Sequence, residues 1–443
     1  MPSQPPSTPW ARGPPSSYLL EHANVIDVHA GNVIFDCQVA VSNGKIESVT
    51  SQAAPNTRSA NQVIDCKDKY LCPGLFDAHV HLQAVPGLGD LNSVHYAPND
   101  VHLLRQPYVC TQMLHRGFTS VRDCGGAQLA LKEAIEEGVI NGPRLFIAGK
   151  ALSQTGGHGD SKGRHDHSQC CGGSMLGLGR VCNGEPECMT AVRDQIRTGS
   201  DFIKIMASGG VASPTDRLEQ LQFTPQEIRA MTQCADQAGT FVTAHAYTCK
   251  AIRHAIDNGV KGIEHGSFVD APTATLMAEK GVWLTPTLIT YDQMASPQWR
   301  DYLPSDGQAK NQQVLKSGSQ ALKVASDAGV KMCFGTDLLG PLGAAQTREI
   351  RLRAQMLSAQ EVLRSATVNP AEMMGCGGSL GQIKAGFEAD ILFLDGNPLE
   401  DLTILDDPTR FLLGVMKGGR VCKSRCSGLA EDGDIPVRVK PLL

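Results

Sequence analysis

The sequence lacks any run of 18 apolar residues, so it predicts no membrane-spanning helix. It also lacks a basic stripe. Its 40 Lys and Arg stand against 45 Asp and Glu, and this net charge of −5 argues against nucleic acid as a partner. The opening segment, Met1–Ser17, has no apolar stretch of the kind a secretory signal needs. The 15 cysteines are an odd number, and Cys37, Cys66, Cys72, Cys110, Cys234 and Cys333 each sit alone near strand-like or helix-like runs. That pattern suits reduced, mostly buried thiols and a cytoplasmic protein rather than a disulfide framework. What remains is a globular enzyme composition, 41% hydrophobic and 19% charged.

At 443 residues the chain is too long for one small core. A (β/α)8 barrel takes about 250 residues, so one barrel plus a smaller domain fits. Residues 1–16 carry six prolines and read as a disordered lead-in. Residues 17–73 hold short β runs such as Val25–Val28, Gln38–Val41 and Lys45–Val49, the last two joined by a Ser42-Asn43-Gly44 turn. From Gly74 to Gly375, short apolar runs alternate with helix-length segments about every 30 residues, the rhythm of βα units. Eight strands are predicted: Gly74–His79, Thr119–Asp123, Arg144–Ala148, Phe202–Met206, Phe241–His245, Gly262–His265, Val282–Pro286 and Lys331–Thr336. Between them, Pro225–Ala238 reads as a helix with Thr224 as N-cap. Residues 376–426 turn β-rich again, with a hairpin around Lys417–Arg420. The two β segments are expected to pair into one β-sandwich domain with the barrel inserted between them, leaving 427–443 as a tail. No internal repeat appears beyond the βα period.

The chemistry concentrates at the predicted strand ends. In Asp77-Ala78-His79-Val80-His81, alternate side chains share a face, so two imidazoles point into the barrel mouth and can hold one metal ion. Lys204 interrupts the apolar strand Phe202-Ile203-Lys204-Ile205-Met206 and faces the barrel interior. A neutral buried amine can react with carbon dioxide, and the carbamate can bridge two metals. The alternative is an ordinary buried ion pair, with Asp337 as a candidate partner. His245 and His265 end the fifth and sixth strands, and Asp337 follows the eighth. Six such groups at the C-terminal ends of barrel strands occupy the place where barrel enzymes keep their active sites.

The order His-x-His, Lys, His, His, Asp across strands 1, 4, 5, 6 and 8 resembles the binuclear amidohydrolase superfamily, over nearly the whole chain. Ala207-Ser208-Gly209-Gly210, Gly156-Gly157-His158-Gly159-Asp160 and Gly386-Phe387-Glu388-Ala389-Asp390-Ile391 are similar to its prolidase-like, carboxypeptidase-type branch, which includes ochratoxinase. Ser153-Gln154-Thr155 resembles ochratoxinase, whereas Tyr247 matches the prolidase-like members and departs from the His expected in ochratoxinase. The resemblance implies hydrolysis of a peptide-like C–N bond by a hydroxide shared between two divalent ions, with zinc expected. His79 and His81 are expected to hold one ion with Asp337, His245 and His265 the other, and carboxylated Lys204 to bridge them. Asp337 is the expected proton shuttle.

Period 2 puts Thr243, His245 and Tyr247 on one face, so Tyr247 can bond a developing oxyanion; the alternative is a packed rim tyrosine. His158 lies in a Gly-rich loop within reach of substrate, and Arg217 is a candidate holder of a substrate carboxylate. The segment from His158 through Cys188, with His165, His167, Cys170, Cys171, Cys182 and Cys188, reads as a lid; a separate zinc site is the alternative. The expected partner is a small amide substrate: a dipeptide, an N-acyl amino acid or an ochratoxin-like amide. A homo-oligomer is also expected. Competing readings are a biosynthetic hydrolase of a peptide-derived metabolite, a mononuclear deaminase and a non-catalytic scaffold. The deaminase lacks support, because the bridging Lys is present and no His-x-x-Glu follows strand 5.

Overall fold

The computed structural model describes residues 10–51, 60–160, 162, 165, 177–213 and 215–432. The chain opens with strands β1 (Tyr18–Asp27), β2 (Asn32–Ser42), β3 (Lys45–Ser51), β4 (Gln62–Asp65) and β5 (Tyr70–Pro73). It continues through β6 (Leu75–Val80), β7 (Phe118–Asp123), β8 (Arg144–Ile147), β9 (Ala151–Ser153), β10 (Gly179–Val181), β11 (Ile203–Met206), β12 (Val242–Thr248), β13 (Gly262–Phe268) and β14 (Trp283–Thr285). It ends with β15 (Ile391–Leu394), β16 (Leu412–Lys417) and β17 (Arg420–Ser424).

The two terminal segments share one eight-stranded sheet, in the order β17-β16-β15-β5-β1-β2-β3 with β4 beside β1. Alternation divides its side chains between two cores. Ile391 and Phe393 pack with Val25, Val39, Ile46 and Met416 on one face. Leu392 and Leu394 join Leu114, Leu131 and the apolar core of the parallel strands on the other. The described part of the proline-rich lead-in is anchored, because the Trp10 indole and the Arg12 guanidinium find acceptors in Glu137 and Asn141. Met1–Pro9 and residues 433–443 lie outside the described residues.

Strands β6-β7-β8 form one parallel sheet, and β10-β9-β11-β12-β13-β14 form another. Helices follow the strands; Pro225–Gln237, for example, starts on a Thr224–Glu227 capping box with proline in its first turn. The expected eighth strand is a correction: residues 331–336 hold a single bridge, Leu284 to Met332, rather than a regular ladder. The physical reason is how its N–H groups are used. Cys333 N–H bonds Leu284, but Phe334 N–H turns to the Ser365 carbonyl, and Thr336 and Asp337 N–H both turn to the His79 carbonyl. The Phe334 carbonyl accepts from Ala78 N–H, so the segment still runs beside β6. No helix among the described residues is long and apolar enough to cross a membrane.

Candidate metal centre

Every residue of β6 is buried. Asp77, one step of the alternation below His79, accepts hydrogen bonds from His79 N–H (3.2 Å), Thr336 N–H (3.1 Å), the Thr336 hydroxyl (2.7 Å) and the Gln346 amide (2.9 Å). This clamps the β6 end to the turn that carries Asp337. A Cβ at Gly335 would lie 2.9 Å from His79 Cβ, so glycine permits the close approach. Asp337 itself has φ 51°, and His265 has φ 71°. Both non-glycine residues hold a left-handed backbone, which costs energy and clusters at functional sites. Asp337 Oδ1 lies 3.4 Å from His79 Nε2 and 3.1 Å from His81 Nε2.

Each of the four imidazoles has one nitrogen tied to a partner outside the site. His79 Nδ1 bonds Glu264 Oε2 (2.8 Å), and His81 Nδ1 bonds the Gly125 carbonyl (2.8 Å). His245 Nε2 bonds the Gly209 carbonyl (3.2 Å), while His265 Nδ1 meets the hydroxyls of Thr287 (2.8 Å) and Tyr291 (3.0 Å). Fixing one ring nitrogen orients the other, the arrangement by which proteins preset metal-binding histidines. The rings cluster: His265 lies 5.0 Å from His79 and 4.6 Å from His245, centroid to centroid. Ligand atoms of His79, His265 and Asp337 all fall within 4.8 Å of one another.

Burial lowers His79 to about 4 and holds His245 and His265 well below the ordinary imidazole value, favouring the neutral, ligand-competent form. At His81 burial is outweighed by the hydrogen bond and charge of Asp337, which raise it. Burial likewise opposes ionisation of Asp337, but His79 and His81 hold its carboxyl far below the usual range.

Lys204 on β11 is 1% exposed. Among the described residues its Nζ makes no hydrogen bond or ion pair, so the ordinary ion pair with Asp337 is not formed. Beneath the histidines lies a group that sequence reasoning did not single out. Glu264 accepts from His79, from Arg122 Nη2 (2.5 Å) and from the Thr243 hydroxyl, and all four side chains are buried. A charged residue inside an apolar strand is the signal that found Lys204, and it applies equally to Arg122 and Glu264. His79, Cys124 and Glu264 also lie close enough to hold an ion, but Glu264 is already engaged by Arg122 and Thr243.

His158 stacks on His245 at 4.2 Å, bonds the Ser213 hydroxyl through Nδ1 (2.7 Å), and donates its backbone N–H to Gln222 (2.9 Å). Ser213 in turn donates to Asp216, which also accepts from Gln222 Nε2 (2.9 Å) and sits 3.6 Å from Lys310 Nζ. A Cβ at Gly210 would strike the His158 ring at 2.2 Å. Tyr247 is buried beside His265, ring to ring 5.2 Å, with its hydroxyl 2.8 Å from that of Tyr291. Tyr291 is a further missed neighbour, with no motif to mark it. Arg217 is exposed, and among the described residues only its backbone carbonyl has a partner, Gln220 N–H. Cys182 and Cys188 are buried with sulfurs 3.7 Å apart, while His167, Cys170 and Cys171 of the expected lid lie outside the described residues.

The model of the amidohydrolase family matches residues 70–422. Ochratoxinase of Aspergillus niger is 33% identical over 373 residues, covering 80% of this chain and 75% of that protein. The crystal structure of a prolidase complexed with N-methylphosphonate-L-proline is 41% identical with a TM-score of 0.88, covering 93% of this chain and 100% of that one. That of a Xaa-Pro dipeptidase with methionine bound in the active site is 28% identical with a TM-score of 0.83, covering 92% and 99%. These matches imply a TIM-type barrel domain for the parallel strands.

Proposed function

Because the chain belongs to the amidohydrolase family and is a hydrolase acting on carbon–nitrogen bonds, we propose that it cleaves the amide bond of a small substrate with a free carboxylate, such as a dipeptide or N-acyl amino acid. The observation that carries this reading is the convergence of four pre-oriented imidazoles, Asp337 and a Lys204 that has no hydrogen-bond or ion-pair partner among the described residues, at neighbouring strand ends. Imidazole and carboxylate donors suit zinc. In this reading His79, His81 and Asp337 would hold one ion and His245 and His265 the other, and Lys204, if carboxylated by carbon dioxide, would be a ligand shared by both. When bound, such a pair activates water and polarises the scissile carbonyl.

The chain's own residues do the rest. Asp337 takes the proton of the attacking water and passes it to the leaving nitrogen. Tyr247 donates to the carbonyl oxygen as charge develops, and His158, fixed by Ser213, faces the same substrate. A second reading, an ochratoxin-like amide, rests on the ochratoxinase match. Residues 17–73 and 376–426 make the proposed β-sandwich domain around a 74–375 barrel, and the 13 free thiols among the described cysteines favour a reducing cytoplasm.

The test pairs elemental analysis with an assay of dipeptides and N-acyl amino acids against their methyl esters. Two divalent ions per chain are expected. Blocking the carboxylate should cost roughly 1.5–3 kcal/mol in kcat/KM. Less than one ion per chain with full activity refutes the binuclear site, and equal rates for free and blocked acids refute the substrate class.

A further inference from the structure

A cavity of about 770 Å³ opens between the helices Asn99–His115 and Arg348–Ala354 and the segment 406–409. None of the proposed metal ligands lines it. Its size suits a metabolite.

Its wall is cationic, although the chain as a whole carries −5. Arg116, Arg348, Arg351 and Lys423 face Asp292, Asp406 and Asp407. One of these carboxylates is paired within the wall and another is only hydrogen-bonded. Asp406 pairs with Arg351 at 2.8 Å, and Asp407 accepts the Arg410 N–H and, at 2.7 Å, the Thr409 hydroxyl. Among the described residues, Arg116, Arg348 and Lys423 have no carboxylate within ion-pairing distance. Outside the Asp406–Arg351 pair, Asp292 and Asp407 stand against three cations.

Arg116 is the most informative. Its Nε and Nη2 both donate to Gln346 Oε1, at 3.0 and 2.9 Å, and its Nη1 has no acceptor among the described residues. Burial pulls Arg116 down to about 10 against the opposing charge of Asp77, so it remains charged at neutral pH, half-buried and, among the described residues, with no carboxylate at ion-pairing distance. Among the described residues Lys423 Nζ bonds only the His115 carbonyl, at 3.1 Å, and Glu431 offsets part of its charge. The free Nη1 of one guanidinium, with a second guanidinium and an ammonium in the same wall, suits a ligand with more than one anionic oxygen.

We propose that this cavity is a second ligand site, which binds a small molecule carrying two or more anionic oxygens, a phosphate ester or a polycarboxylate, through Arg116, Arg348 and Lys423. It is separate from the hydrolytic centre and does not depend on the reading of that centre.

Calorimetric titration of the full, metal-loaded chain tests it, with a sugar bisphosphate and tricarballylate as separate probes for the two chemistries. Gln346 also donates to Asp77 beside His79, so Arg116 is left intact and the variants fall on its neighbours. At least one probe should bind the wild type. Arg348→Glu with Lys423→Glu should weaken it by about tenfold or more, and Asp292→Asn should strengthen it. Asp337→Asn should leave affinity within about twofold, because the site lies apart from the metal ligands. Should the double variant fail to fold, Arg348→Gln at the exposed position carries the comparison. Absence of binding by both probes overturns the proposal, as does binding that survives the charge reversal or is lost in Asp337→Asn. A change of oligomeric mass in the double variant without a change in affinity also overturns it, in favour of an interface between copies.

Discussion

Glu264→Gln should both unfold the barrel more easily and loosen its hold on metal. Glu264 is fully buried and accepts from His79 Nδ1 at 2.8 Å, from Arg122 and from Thr243. Glutamine keeps the shape but replaces one acceptor with an NH2 group that faces donors. Arg122, also fully buried, is left with the Ala78 carbonyl at 2.6 Å as its main anchor and with no counter-charge. Breaking a buried pair by removing one partner costs about 3–5 kcal/mol. His79 loses the acceptor that fixes its ring, and partners of that kind are worth about 10–100-fold in metal affinity. Burial alone would raise the Glu264 pKa, but Arg122 and His79 outweigh it and hold the carboxyl well below its ordinary value. A depressed folded-state pKa gives stability that is present above the unfolded value, about 4.3, and lost as pH falls through the folded one. The gap between wild type and variant should therefore be full at neutral pH and close only in acid. Thermal denaturation of metal-free protein across pH, with chelator-competition titration of zinc, reads both effects. A stability loss under about 1 kcal/mol together with zinc affinity within about threefold would refute the reasoning.

Lys204→Ala should lose metal and activity together, with partial rescue by short carboxylic acids; full occupancy and full rate in the variant would remove the bridge. Asp337→Asn should lower kcat by about two orders of magnitude or more, the scale of a general acid–base group, and a loss below about tenfold would move the proton shuttle elsewhere. Lys417, whose Nζ donates to the Gly142 carbonyl at 2.7 Å, is pulled down to about 8 by burial and then by Arg144. The unfolded chain then binds more protons above pH 8, so stability should rise with pH from there toward the ordinary lysine value of about 10.4. Lys417→Met should flatten that rise, and an unchanged pH slope in denaturant titrations would refute the assignment.

How far the sequence could be read depended on where period 2 holds. It holds along β6 and β12, so His79 and His81, and likewise Thr243, His245 and Tyr247, face the same way, as alternation requires. It fails on β13. Glu264 and His265 are adjacent, yet both contact His79 from within the barrel, because His265 takes φ 71° and resets the parity. Alternation sends Glu264 to the helices, so while its charge within an apolar strand marked the carboxylate beneath the site, its spacing pointed the wrong way. The Asp337 turn poses the same problem in backbone form. Its segment reads as a strand by apolar pattern, yet its N–H groups are drawn to Ser365 and His79, and the chain bends at φ 51°. Tyr291 and Ser213 were missed for a different reason. Each reaches an imidazole across more than 25 positions of sequence, and a hydroxyl carries no local pattern that marks such a partner. Residues that bear charge into an apolar strand announce themselves; residues that orient them through one hydrogen bond do not. The strain at His265 and Asp337 links the two cases, since the backbone departures that hid the second layer also aim the first.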